Sequence, residues 1–202
     1  PDLFNKTKNY HLKNTKAEEA WEITTGKKDI VIAIIDVGFD LNHKELQKNI
    51  VKPWNTFNHN DKIFANSSHG THVAGIALAE NNNNFGLSGI APNCSFMPIQ
   101  LYTSPDGDIS WTNIADGILY AIKNNADVIN LSVGMRWPEQ YRLILEKNTQ
   151  AQKDFMIEKL KEAETFWNEI YEMADKKNIT IVLAAGNQNL LIGFDPFTRI
   201  HN

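Results

Sequence analysis

A single cysteine, Cys94, in 202 residues excludes an internal disulfide and any thiolate metal cage. The role left for it is that of a small core residue. No apolar run approaches membrane-spanning length and no signal peptide is present, although a chain that starts at Pro1 rather than Met is compatible with a removed leader. Basic residues are scattered, and with a formal net charge of -4 there is no electrostatic footprint for nucleic acid. Hydrophobic residues make up 42% of the chain, enough for one sizeable core, and nothing in length or composition demands a second domain.

The chemistry is concentrated in Ser67-Ser68-His69-Gly70-Thr71-His72-Val73-Ala74-Gly75. Two serines supply candidate N-caps, and Val73, Ile76 and Ala77 recur at helical spacing, so a buried helix is expected to begin near His69. A histidine in that first turn is suited to taking a proton at neutral pH. Gly70 and Gly75 are poor helix formers, costing about 1 kcal/mol each in a helix interior, so close packing is the expected reason for both. A capped helix with merely polar surface histidines is the competing interpretation.

The chain opens polar and lysine-rich, then reads as a short helix over 15–23 with Ala17, Ala20 and Trp21 on one face. Ile30 to Ile35 is a β-branched run without alternation, as expected for a strand covered on both faces. Asp36 stands at its carboxyl end, where ligands and catalytic groups gather in open α/β sheets; a turn-forming aspartate is the alternative. The asparagines of 81–84 suit a loop with left-handed backbone. Ser95 to Leu101 reads as a second strand, with Pro98 tolerable only at an edge or bulge.

Ile114, Ile118, Leu119 and Ile122 mark an amphipathic helix, and Val128 to Val133 and Ile179 to Ala184 read as further buried strands. Between Pro138 and Asn178, residues Met156, Leu160, Ala163, Trp167, Ile170 and Ala174 form a helical stripe expected to cover a sheet face. The alternation predicts a three-layer α/β fold, a doubly wound and mostly parallel sheet with helices on both faces. All of 1–202 is expected to form one domain, with 135–178 a helical insertion within it.

Ile32-Ala33-Ile34-Ile35-Asp36-Val37-Gly38, the stretch Ser68 to Gly75 and Ala184-Ala185-Gly186-Asn187 resemble, in order, the aspartate, histidine and oxyanion-hole motifs of the subtilisin-like serine proteases, peptidase S8. Gly89-Ile90-Ala91-Pro92 and Val128-Ile129-Asn130-Leu131-Ser132 also match landmarks of that family. The resemblance runs from about Trp21 to Asn189 and implies peptide-bond hydrolysis by a Ser/His/Asp triad. His69 would be the general base, Asp36 its orienting acid and Asn187 the oxyanion donor. Loss of such a donor costs about 10²–10³ in turnover, a magnitude that itself comes from a subtilisin. The same carry-over places an extended peptide or protein substrate against the backbone around Gly107 and around Ser132, Val133 and Gly134, with Trp111 walling an apolar subsite or serving as an ordinary helix-start aromatic. No cofactor is required for this chemistry. A structural calcium is implied at Glu45, Asn82 and Asn83, where a plain Asn-rich turn is the alternative.

Departures from the family pattern matter too. The nucleophile belongs to a Gly-Thr-Ser motif downstream of the oxyanion asparagine, and no Gly-Thr-Ser occurs in these residues. The expected picture is the amino-terminal part of a serine endopeptidase, inactive alone, with a sheet incomplete at its C-terminal side and apolar surface left for a missing segment or a second chain. Val37 stands where the family usually has a hydroxyl residue, which is expected to loosen Asp36. A non-catalytic peptide-binding protein of the same fold is the alternative. A dinucleotide site would need a glycine-rich turn after the first strand, which Asp36-Val37-Gly38-Phe39-Asp40 is not, and a metal site on His69, His72 and Asp36 lacks the acid of a zinc-protease helix. Family members are most often exported, so a secreted or cell-envelope location is expected, and no membrane span.

Overall fold

The computed structural model describes residues 10–101, 109–133 and 149–185. Two short helices, α1 (Tyr10–Asn14) and α2 (Ala17–Ile23), precede β1 (Val31–Asp36). A 3-10 turn at Gln47–Asn49 leads to β2 (Trp54–Asn55), α3 (His69–Leu78), β3 (Ser95–Gln100) and α4 (Trp111–Lys123). Then come β4 (Val128–Leu131), the long α5 (Gln150–Asp175) and β5 (Thr180–Leu183). The strands form one parallel sheet in the order β2-β3-β1-β4-β5. Because β1 is central, its last residue, Asp36, is carried to the middle of the carboxyl rim, in register with Gln100.

Side-chain alternation divides the core into two layers. Ala33, Ile35, Met97, Ile99, Ile129 and Leu131 face α4 and α5, where Ile114, Ile118, Trp167 and Ile170 meet them. Ile34 and Phe96 face the other way, against Ala74 and Leu78 of α3 and against Phe39 and Leu46. Each buried Ile, Leu, Met or Phe side chain among these contributes about 1.5–3 kcal/mol relative to exposure, which is why an unalternating β-branched run becomes a strand covered on both faces. Ser110 starts α4 by accepting the Asn113 backbone N–H at 3.2 Å.

The carboxyl-terminal part of the stripe read between Pro138 and Asn178 covers the sheet: Trp167, Ile170 and Ala174 of α5 are buried in the first layer, while the side chains of Met156 and Leu160 lie outside those described. Residues 134–148, the first part of the expected insertion, lie outside the described residues. Several expectations need correction. Of the face read on the first helix, Ala17 is buried, Trp21 half-buried and Ala20 exposed. The strand read at 179–184 is half-exposed, with Val182 at 47%. On the α3 side, a groove of about 500 Å³ runs between Val73, Ile76 and Ala77 of α3 and Ile32, Val128 and Val182 of the sheet. Among the described residues nothing covers Val182 on that face.

Pro98 lies in a strand with neighbours on both sides, not at the sheet edge. The carbonyls of Phe96 and Gln100 accept from the N–H groups of Val51 and Thr56 at 2.8 and 2.9 Å, so Pro98, between them, turns its missing donor toward the β2 side. There the ladder is interrupted between the isolated bridge Ile50 to Phe96 and the start of β2 at Trp54. No donor is needed at that gap.

Candidate active site

Asp36 and His69 come from elements 33 residues apart in sequence and meet on the rim. Asp36 is 0% exposed, and His69 Nδ1 lies 2.8 Å from its Oδ1 and 3.0 Å from its Oδ2. With the Nδ1 proton donated to the carboxylate, Nε2 is left as the acceptor, and the His69 side chain is 52% exposed. Oδ1 also accepts the Val37 backbone N–H at 2.7 Å. Burial pushes the Asp36 carboxyl above the usual carboxylate range, while the hydrogen bonds from His69 and Val37 pull it partly back down. An acid so buried and so held can fix the tautomer and direction of the imidazole. The Val37 hydrogen bond is a main-chain one, which any residue but proline could make at this position, and it adds to the hold of His69 on Asp36.

The local sequence builds this contact by removing side chains. A Cβ on Gly70 would strike the Gly38 carbonyl oxygen and would come within 2.9 Å of Phe39 Cε1 and 3.0 Å of Asp36 Cβ, so α3 can reach β1 this closely only with glycine there. Gly75 differs from expectation: nothing lies within 4 Å of its Cβ position, and it lines a cavity of about 510 Å³ on the outer side of α3 with Asp40, His43, His72 and Phe85. The helix start also differs in detail. Ser68 occupies the cap position without a side-chain hydrogen bond, and Ser67 Oγ accepts the His69 N–H at 3.2 Å instead. Thr71 Oγ1 ties the helix to the loop after β1 by accepting the Asp40 N–H at 2.8 Å.

Asn187, Gly107 and Gly134 lie outside the described residues. Ser132 follows β4 at the same rim, its Oγ accepting from Asn130 Nδ2 at 3.0 Å, and Val133 is buried. Trp111 is half-buried, its ring 5.6 Å from that of Trp167. Glu45 is buried, with Oε2 accepting the Leu87 N–H at 3.2 Å, and Gly86 is pressed against its carboxylate. Asn82 and Asn84 adopt the left-handed backbone expected of them, at φ 60 and 57. Asn83 Oδ1 accepts the Phe85 N–H at 3.0 Å, and carboxylate and amide oxygens such as those of Glu45 and Asn83 are of the kind that calcium takes. His72 is exposed, and among the described residues no cluster of three or more His, Cys, Asp or Glu is placed to hold a metal.

A parallel sheet with an acid at the end of its central strand and a histidine opening the adjacent helix defines an α/β protein with an acid–base pair on its rim. Residues 27–199 match the profile of the subtilase family, peptidase S8, and the chain belongs to that family. It is 37% identical over 133 residues to a thermophilic serine proteinase of Bacillus sp. strain AK1, covering 66% of this chain and 33% of that protein. To thermitase of Thermoactinomyces vulgaris it is 35% identical over 133 residues, covering 66% and 47%. The chain thus spans about a third to a half of the length of these curated relatives. Among solved structures, a lanthipeptide protease is similar in fold, with a TM-score of 0.62 and 22% identity over 88% of this chain and 45% of that one.

Proposed function

We propose that the chain carries the acid–base half of a serine endopeptidase and that the nucleophilic hydroxyl is supplied by residues other than these 202. One observation carries the reading: His69 Nδ1 is held by both oxygens of a fully buried carboxylate while the rest of the ring is open to a substrate. In the proposed reaction His69 Nε2 takes the proton of the serine hydroxyl as that oxygen attacks the peptide carbonyl. The proton then passes to the departing amine, and water activated by the same nitrogen releases the acyl group. Asp36 stabilises the imidazolium without itself taking the proton.

In this reading Asn187 donates its side-chain amide to the oxyanion, and the backbones near Gly107 and at Ser132, Val133 and Gly134 pair with an extended peptide. Trp111 walls a subsite. A calcium ion, bound by Glu45 with oxygens of Asn82 and Asn83, would stiffen the loop after α3. The groove between α3 and β5 would be closed by further residues of the parent protein or by a second chain. A site outside the cell is the reading that goes with most such proteases; among the described residues no helix is long and apolar enough to cross a membrane.

The test is peptide hydrolysis by the parent protein, with His69→Ala expected to lower turnover by several orders of magnitude. Unchanged hydrolysis removes His69 as the base. The 202 residues alone should resist labelling by a fluorophosphonate probe, and stoichiometric labelling would refute the absence of a nucleophile.

A further inference from the structure

Gln100 ends β3 in register with Asp36, is fully buried, and is the one long polar side chain in that strand. Its amide acts toward the segment before α3 as an added piece of strand. Oε1 accepts the Phe64 N–H at 2.9 Å, and Nε2 donates to the Phe64 carbonyl at 3.2 Å and to Asn66 Oδ1 at 2.9 Å. Oε1 also accepts from Asn55 Nδ2 at 3.3 Å, and the same Asn55 nitrogen donates to the Lys62 carbonyl at 3.0 Å. Both acceptor positions and both donors of the amide are therefore used, which fixes its orientation in the interior.

The groups Gln100 holds lead to the acid–base pair. The Phe64 carbonyl also accepts the Phe39 N–H at 3.2 Å, from the turn that follows Asp36. Asn66 Oδ1 and the Ser67 nitrogen lie 2.6 and 3.0 Å from where a Gly38 Cβ would be, and on another side Gly70 abuts the Gly38 carbonyl. Gly38 is thus gripped between the segment entering α3 and the first turn of α3 itself. Segment 64–70 can move relative to Asp36 only if this grip opens, and Gln100 anchors the grip to the sheet.

We propose that Gln100 is a positioning residue for the Asp36–His69 pair: its amide locks residues 64–66 against Gly38 and so sets where His69 meets the carboxylate. The proposal rests on the acid–base reading above and adds to it a residue that touches neither substrate nor imidazole. Misplacing a reacting group by about 1 Å can cost about a hundredfold in rate, so a lock of this kind has a chemical consequence.

The test reads the pair directly, without needing turnover. In the full chain with 15N-labelled histidine, solvent exchange of the His69 Nδ1 proton is compared by NMR in wild type, Gln100→Leu, Asn66→Ala and the control Ile118→Val. Ile118 is a buried side chain in the opposite core layer, so the control lowers stability without touching the network. Loss of one buried hydrogen bond corresponds to about a tenfold change in an opening equilibrium, and Gln100→Leu removes four, so exchange should quicken at least about tenfold in Gln100→Leu. It should quicken measurably in Asn66→Ala and stay at the wild-type rate in Ile118→Val. Equal exchange in Gln100→Leu and Ile118→Val overturns the proposal. If Gln100→Leu does not fold, wild-type exchange in Asn66→Ala overturns it instead. Failure of the protease reading is separate: it would appear as hydrolysis by the parent protein surviving His69→Ala, whatever the exchange rates.

Discussion

Two glycines five residues apart in α3 should respond in opposite directions to the same substitution. Replacing glycine by alanine in a helix interior gains about 1 kcal/mol from the narrower unfolded ensemble and better propensity. At Gly75 nothing opposes this gain, because no atom lies within 4 Å of the added methyl. Gly75→Ala should therefore stabilise by about 1 kcal/mol, or about 2–4 °C in Tm for a chain of this size. At Gly70 the methyl would strike the Gly38 carbonyl and would sit 2.9 Å from Phe39 and 3.0 Å from Asp36 Cβ. None of these can yield cheaply, since two belong to the rim of the sheet and the third to a buried ring. Overpacking of this kind costs about 1–3 kcal/mol, and three simultaneous contacts put Gly70→Ala toward the upper end. After the propensity gain the net loss is about 1–2 kcal/mol, so the two variants should differ by about 2–3 kcal/mol. Urea unfolding of both variants beside wild type measures the gap. Equal midpoints, or a Gly70→Ala protein more stable than wild type, would refute the account of how α3 approaches Asp36.

Three other expectations follow from the same geometry. A carboxyl raised in the folded state contributes stability that is full below its unfolded value, near 3.8, and is lost as pH rises through the folded value. His69→Ala removes influences that hold Asp36 down, so urea midpoints should decline more steeply than in wild type from about pH 4 toward neutrality; parallel pH profiles would contradict this. Trp167 is 0% exposed between Trp111 and Tyr171, so Trp167→Ala should cost about 3–5 kcal/mol and alter the Trp111 fluorescence, and a loss below about 1 kcal/mol would mean that α5 does not seal this layer. If calcium binds at Glu45, its addition should raise Tm in wild type and not in Glu45→Gln. A shift of equal size in both would place the ion elsewhere.

The elements that the chain announces are those whose own residues settle the matter. The apolar runs of β1 and β4 and the stripe ending at Trp167 and Ala174 are legible because burial dictates them residue by residue. Asp36 and His69 are legible as candidates by their places, at the end of such a run and at the start of a helix, and their pairing is legible only through the resemblance of the two motifs to the subtilisin-like proteases. β2 is not legible: its two residues, Trp54 and Asn55, are strand only because β3 offers them partners. The half-exposed β5 looks buried in the sequence for the converse reason, since Ile181, Val182 and Leu183 carry the composition of a core strand without a described neighbour over Val182. Gln100 is visible only as a polar residue closing an apolar strand. Its role depends on Phe64 and Asn66, 36 and 34 residues away, which no local pattern can reveal.

The central position of β1 has a kinetic meaning as well. Every ladder in this sheet is parallel, and the hydrogen bonds that seat β1 beside β4 join residues 96 apart, Val31 and Asp127. Such closures cost chain entropy before they return any contact energy, so this sheet is expected to form more slowly than one built from local contacts. Asp36 is the last residue of that strand, and it is buried only once β3 has taken its place alongside. The acid that orients the imidazole is therefore sheltered by a pairing of β1 with β3, between segments more than 60 residues apart in sequence.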